Sequence, residues 1–206
     1  MRPDRIPLFP LNVVLFPGAG LPLHIFEPRY RRMIHECVEN KSEFGMLLAI
    51  PNGIAGTGCT AEILEVSRRY YDGRLDIVTV GRAPFRVVEL FDDDPLLEGN
   101  VDYLEDRPSP IEVRIRRQLF ELYETCHTIV FGDYPRDTQE ESEIELSYLI
   151  ADKLPLDLVW KQRILELRTE TERQERLVAY LREWAPHLQK VEAVRRSEGG
   201  NGHGLN

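Results

Sequence analysis

Residues able to do covalent chemistry are sparse in this chain and poorly placed for it. A Ser-Lys pair needs a lysine held out of water beside the hydroxyl, so that the amine can act as base. The four lysines, Lys41, Lys153, Lys161 and Lys190, all fall in polar or helix-surface contexts. Cys37 and Cys126 lie on apolar faces of predicted helices, where a thiol packs as a small, inert hydrophobe. His127 follows Cys126 directly, and neighbours on a helix point in different directions, so they form no Cys-His pair. His24 and Glu27 are three apart but span a strand end and Pro28, which suits hydrogen bonding better than metal ligation. Gly56-Thr57-Gly58 lacks the spacing of a phosphate-cradling loop, and no Walker A, H-E-x-x-H, G-x-S-x-G or zinc-finger pattern is present. The expectation is a chain with no catalytic residue, no metal and no cofactor.

A binding surface remains, and Ile6 to Ile34 is where it is expected. Pro7, Pro10, Pro17, Pro22 and Pro28 fix φ and remove donors, so this apolar stretch reads as proline-broken edge strands leading into a helix. An extended peptide can pair with such an edge while apolar pockets take its side chains. The expected division places Leu8, Phe9, Leu23 and Ile25 in the core. Phe16, His24, Phe26, Glu27, Arg29 and Tyr30 are the candidate peptide-binding residues, with the edge running from Leu8 to Phe16.

The remaining sequence must position that surface. Its 206 residues, 42% hydrophobic and 30% charged, suit a soluble globular protein with a sizeable core. A net charge of −9 repels phosphate backbones and anionic membranes, so neither nucleic acid nor membrane is an expected partner. The acidic runs at Asp92 to Asp94 and at Glu140, Glu141 and Glu143 read as solvated loops. Three scattered cysteines fit a reducing cytoplasm. Prolines at 7 and 10 precede any uninterrupted apolar run, so no signal peptide is read, and no apolar segment is long enough to span a bilayer.

Strands are expected at Ile6–Leu11, Val13–Phe16, Leu21–Phe26, Phe44–Ile50, Thr60–Tyr71, Arg74–Val80, Phe85–Leu90 and about Glu98–Leu104. A helix follows Pro28 to about residue 39, residues 51–58 form an exposed loop, and Asp72-Gly73 signals a two-residue hairpin turn. Gly81 and Pro84 mark a bend. From Ser109, capped by a box with Glu112, the apolar period changes from 2 to 3.6. Helices then run to Gly132, to Leu154, from Asp157 to about Arg168, and onward from the Thr169–Glu172 box, with a kink expected near Pro186. The fold class is α+β: a β domain over residues 1–108 and a helical bundle over 109–195, with a disordered tail over 196–206.

Three blocks, Leu8-Phe-Pro-Leu11, Val14-Leu-Phe-Pro-Gly18 and Leu21-Pro-Leu-His-Ile-Phe-Glu-Pro-Arg-Tyr30, resemble the opening of the N-terminal domain of Lon proteases. This domain also occurs in cereblon and in stand-alone bacterial proteins. The likeness continues through Phe44-Gly45, Gly56-Thr57, Asp72-Gly-Arg74, Gly81, Phe85-Arg-Val87, Leu154-Pro-Leu-Asp157 and Lys161-Gln-Arg-Ile-Leu-Glu166, covering about residues 6–190. Pro84 departs from the family's usual arginine. The resemblance implies a PUA-like β pseudo-barrel with one short helix, then a helical bundle. It also implies substrate recognition without the ATPase and protease domains. The resulting expectation is a non-catalytic module for unfolded or extended polypeptides, working with a separate protease or by self-association. A residual hydrolase is the alternative, and RNA binding through the PUA-like fold is the third reading.

Overall fold

The structure, a computed structural model, describes residues 2–92, 95–110, 112–135 and 145–199. The chain forms two compact units, Met1–Asp106 with Pro155–Arg168, and Arg107–Leu154 with Thr169–Asn206.

The first unit is a staggered barrel. Its strands are β1 (Arg5–Leu11), β2 (Gly20–Ile25), β3 (Phe44–Ile50), β4 (Gly53–Arg69), β5 (Leu75–Phe91) and β6 (Glu98–Tyr103), in the order β2-β5-β4-β3-β1-β6. A further pairing of β5 with β6 closes the ring and leaves β2 outside it, paired among the described residues to β5 alone. The 17-residue β5 makes this possible, because its first half, Leu75 to Val80, pairs with β2 and its second half, Phe85 to Phe91, with β6.

Ile6, Leu8, Leu47, Phe85 and Val101 fill the barrel. Phe85 fits because two facing positions carry no side chain. A Cβ at Gly45 would lie 2.7 Å from the Phe85 ring and from Leu8, and one at Gly58 would lie 2.2 Å from the Met46 carbonyl oxygen. Gly56-Thr57-Gly58 is thus strand rather than loop, with Thr57 and Gly58 buried and Gly56 exposed: β4 begins at Gly53 and runs through it.

β1 is not the expected edge. Arg5 to Pro7 pair with β6 and Leu8 to Leu11 pair in parallel with β3, so each proline has a partner strand on one side and needs no donor on the other. Val13 to Phe16 forms no strand; it is a loop whose Val14, Leu15 and Phe16 are buried. The expected bend at Gly81 and Pro84 is a β-bulge within a continuous β5, where Ala83 N–H donates to Thr60 Oγ1 at 3.0 Å. Pro84 costs no ladder donor there, and its carbonyl accepts from Leu104 N–H at 2.9 Å. The β4–β5 hairpin does turn at Asp72-Gly73, but only Gly73 has positive φ (+85°). Gly73 N–H donates to Tyr70 and Tyr70 N–H to Arg74, which makes a three-residue loop with a left-handed glycine at its end.

Helix α1 (Pro28–Asn40) has Pro28 in its first turn and buries Tyr30, Met33, Ile34 and Cys37. Helix α4 (Leu158–Glu166), capped by Asp157 through Trp160 N–H at 2.9 Å, also belongs to this unit rather than to a bundle beginning at 109. Its buried Gln162 donates Nε2 to the Thr57 carbonyl at 2.9 Å, and Arg168 pairs with Asp106 at 3.2 Å.

The second unit contains α2 (Val113–Phe131), α3 (Leu146–Lys153) and α5 (Glu170–Gly199). Ser109 does not cap α2, which starts at Val113; its hydroxyl accepts from Thr171 N–H at 3.4 Å instead. Gly132 stops α2 as expected. Arg173 is fully buried. Its guanidinium reaches Ser147 Oγ at 2.9 Å, Glu170 at 3.2 Å and Glu145, and lies 4.2 Å from the Tyr148 ring centre. The helix α5 is continuous through Pro186. Asp93, Asp94, most of the acidic stretch before α3, and residues 200–206 of the expected tail lie outside the described residues.

The barrel's packing gives a paired expectation. Gly58→Ala must displace backbone and should destabilise the protein by about 3 kcal/mol in urea denaturation. Gly56→Ala, with open space at its Cβ position, should stay within about 0.5 kcal/mol of the parent. Equal effects would contradict this account of the core.

Candidate functional site

Strand β2 ends the sheet, and three strands side by side, β2, β5 and the second half of β4, extend beyond the closed ring. Residues opposite one another in neighbouring strands share a face. One row carries His24, Asp76 and Arg68, and the next carries Pro22, Val78 and Glu65. β4 has two bulges here, at Leu64 and at Ser67, and such irregularities turn side chains to new directions. Leu64 is 56% exposed.

The polar centre of this surface is Asp76. His24 Nδ1 lies 2.5 Å from Asp76 Oδ1, and the Tyr70 hydroxyl donates to Asp76 Oδ2 at 2.8 Å. Ser67 Oγ donates to the Asp76 carbonyl at 3.1 Å. Together these bonds hold β2 to β5 and β5 to the hairpin through side chains as well as through the ladder. They keep the Asp76 carboxyl below the ordinary aspartate range, the His24 bond being the largest cause and the Tyr70 bond the next. The His24 ring also stacks near Phe26, with centroids 6.2 Å apart, and meets Tyr70 edge-on at 5.7 Å.

Of the six residues expected to face a ligand, His24 and Phe26 come together on this surface, with Phe26 60% exposed. Glu27 and Arg29 pair with each other at 2.8 Å just beyond it. Phe16 and Tyr30 are core residues instead, 0% and 6% exposed. Tyr30 stacks on Phe9 at 4.0 Å and anchors α1 to the barrel. Leu23, expected in the core, is half-buried, whereas Leu8, Phe9 and Ile25 are buried. Sequence reasoning missed Leu64, Tyr70, Asp76 and Arg68. The hairpin signal at Asp72-Gly73 could have brought Tyr70 and Asp76 together across the turn, but nothing in the sequence indicates the bulge that turns Leu64 outward.

The His24–Asp76 pair has the form of a catalytic dyad without its third member. The nearby hydroxyls of Ser67 and Tyr70 are both committed to Asp76. All three thiols are buried, and burial raises the pKa of each, that of Cys126 to about 11. Among the described residues no three His, Cys, Asp or Glu side chains group as a metal site, and no helix is long and apolar enough to cross a membrane. What the surface offers is an open strand edge, an exposed aromatic ring and a fixed polar row.

An α+β fold with a six-stranded sheet followed by helices is shared with two solved structures. A Lon N-terminal domain protein from Xanthomonas campestris superposes with a TM-score of 0.65 at 25% identity, over 85% of this chain and 98% of that one. The N-terminal domain of a Mycobacterium avium complex Lon protease superposes at 0.62 with 16% identity, over 86% of this chain and 97% of that one, a likeness of fold. The family model for the substrate-binding domain of the ATP-dependent protease La (Lon) matches residues 5–183, and the chain belongs to that family. Among curated relatives, a Parabacteroides distasonis Lon protease is 37% identical over 112 residues, covering 50% of this chain and 14% of the relative. A Cytophaga hutchinsonii Lon protease is 25% identical over 188 residues, covering 83% and 23%. The chain thus spans about a quarter or less of these relatives' length, and the match is to the substrate-binding domain, not to the ATPase or protease domains.

The Asp76 network has a pH signature. A carboxyl with a depressed folded-state pKa contributes stability above its unfolded value, and that contribution is lost as pH falls through the folded one. Carboxyl NMR titration should place the Asp76 midpoint below that of an ordinary aspartate, and His24→Ala should move it upward. An unmoved midpoint would show that His24 is not the chief cause.

Proposed function

We propose that this chain is a non-catalytic module that takes up unfolded or extended polypeptide along the free edge of β2. The carrying observation is that among the described residues β2 pairs only with β5, so one side of its backbone is open beside the exposed Phe26 ring. An added strand gains main-chain hydrogen bonds in any sequence, which suits a binder of varied unfolded clients. Membership of a family described as a substrate-binding domain supports the same reading. The binding edge is thereby moved from Leu8–Phe16, where Leu8, Phe9 and Val14 to Phe16 are buried, to Gly20–Ile25, which carries His24, with Phe26, Glu27 and Arg29 following it.

In this proposal the chain acts in the cytoplasm, where its three free, buried cysteines stay reduced, and delivers or holds clients for a separate protease. A hydrolase reading has the His24–Asp76 pair in its favour, but among the described residues the hydroxyls beside it, those of Ser67 and Tyr70, are already bonded to Asp76. RNA binding has the fold's precedent alone, against a net charge of −9.

Fluorescence anisotropy with a reduced, alkylated, labelled protein tests the proposal. The parent should bind, and Phe26→Asp should weaken binding at least about tenfold, roughly 1.4 kcal/mol, as loss of an interface anchor does. Phe131→Asp, on an exposed residue of α2 in the other unit, should change little. Absence of binding by the parent would overturn the proposal.

A further inference from the structure

We infer that the groove between α2 and the C-terminal part of α5 docks a basic amphipathic helix of a partner protein, a second interaction surface that does not depend on β2. The groove lies within the second unit and measures about 780 Å³. Glu121, Glu124 and Thr128 line it from α2, and Glu192 and Ala193 from α5. Positions three, four and seven apart share one face of a helix, so each wall is a single stripe. Among the described residues the walls carry three carboxylates and no lysine, arginine or histidine. Glu121 is bonded to the exposed Arg117 at 3.1 Å. Glu124 is half-buried, and among the described residues no cation or donor is bonded to its carboxylate. One turn further along, the Thr128 hydroxyl is buried with no hydrogen-bond partner. Both groups lack what a cationic N–H donor supplies.

The shape of the groove selects a helix. Its walls are side chains of two helices and offer no strand edge, so an extended chain laid there would leave its N–H and C=O groups unpaired. A helix satisfies its own backbone, and its ridge of side chains fits the furrow between two others. From Glu121 to Thr128 the α2 wall rises about 10 Å, two helical turns. Over that length an incoming helix lays an apolar stripe on Ile129, Ala193 and the Tyr134 ring. Lysine or arginine beside the stripe then reaches Glu124 and Glu192, with the aliphatic stem on the apolar lining and the charged head at the carboxylates. An acidic helix or a nucleic acid would meet three like charges at the same place.

The test uses the full chain and two labelled, helix-forming Ala/Leu peptides, one with lysines flanking its apolar stripe and one with glutamates there. In fluorescence anisotropy the lysine helix should bind and the glutamate helix should not. A chain with a net charge of −9 attracts cations everywhere, so the variants are matched in charge. Glu124→Lys should weaken binding at least about tenfold. Glu39→Lys, on an exposed residue of α1 in the first unit, changes the net charge equally and should alter binding by less than about twofold. Thr128→Val should weaken it about threefold, the scale of one hydrogen bond. Neither groove variant should shift the melting temperature. Amide NMR shifts caused by the lysine helix should gather on residues 121–129 and 189–193, with β2 unmoved. Equal weakening by Glu124→Lys and Glu39→Lys would reduce the binding to general attraction and overturn the inference, as would shifts centred on β2 or no binding at all. Displacement of the helix by an equal concentration of spermidine would make the groove a small-cation site and overturn the helix. None of these results bears on the β2 edge, which is tested with unfolded protein.

Discussion

Closure of the barrel depends on the Phe85 ring lying where residues 45 and 58 have no side chain. With any Cβ at those positions, β3 and β4 could not approach the ring, and the second half of β5 could not sit between β4 and β6. That seating fixes the register of the whole 17-residue strand, because one residue's slip would turn every side chain to the opposite face. Leu75, Ile77 and Thr79 therefore point inward, and Asp76 is presented to His24.

The surface that binds in this account is the part of β5 not used for closure. Only its second half meets β6, so its first half must find another partner, and β2 supplies one side while leaving its own far side open. An open edge in a soluble protein invites indiscriminate pairing, and Pro22 within β2 limits this by offering no donor. The His24–Asp76–Tyr70 row then fastens the short β2 to the hairpin, giving an incoming chain a fixed template instead of a fraying one. Binding on a preformed edge needs less ordering of the binder, which leaves more of the interaction energy for affinity.

Much of the fold was legible in the sequence. The period change after residue 109, β3 as a continuous apolar run, Pro28 at the start of α1, the Asp157 cap and the Gly132 stop were all local signals, and local chemistry decided them. The failures share one cause: they depend on partners distant in sequence. Pro7 and Pro10 read as marks of an edge because an isolated strand does not reveal that β6 and β3 each cover only half of β1. Phe16 and Tyr30 looked like ligand contacts, yet the barrel and Phe9 take them into the core. Gly56-Thr57-Gly58 looked like a loop because the composition of a turn and that of a tightly packed strand are the same when glycine is needed for close approach. Helix α4 has a helix's sequence and a barrel's packing, with Gln162 meeting the Thr57 carbonyl of β4, a partner about a hundred residues away in sequence.

The central claim is that β2 is where polypeptide docks. Amide hydrogen exchange, followed residue by residue with and without a saturating extended peptide, addresses it most directly. The account predicts slower exchange at the amides of Gly20 and His24, which face away from β5, with the helices α2 and α5 unchanged. Protection confined to the helices, or bound peptide with no change along β2, would contradict it.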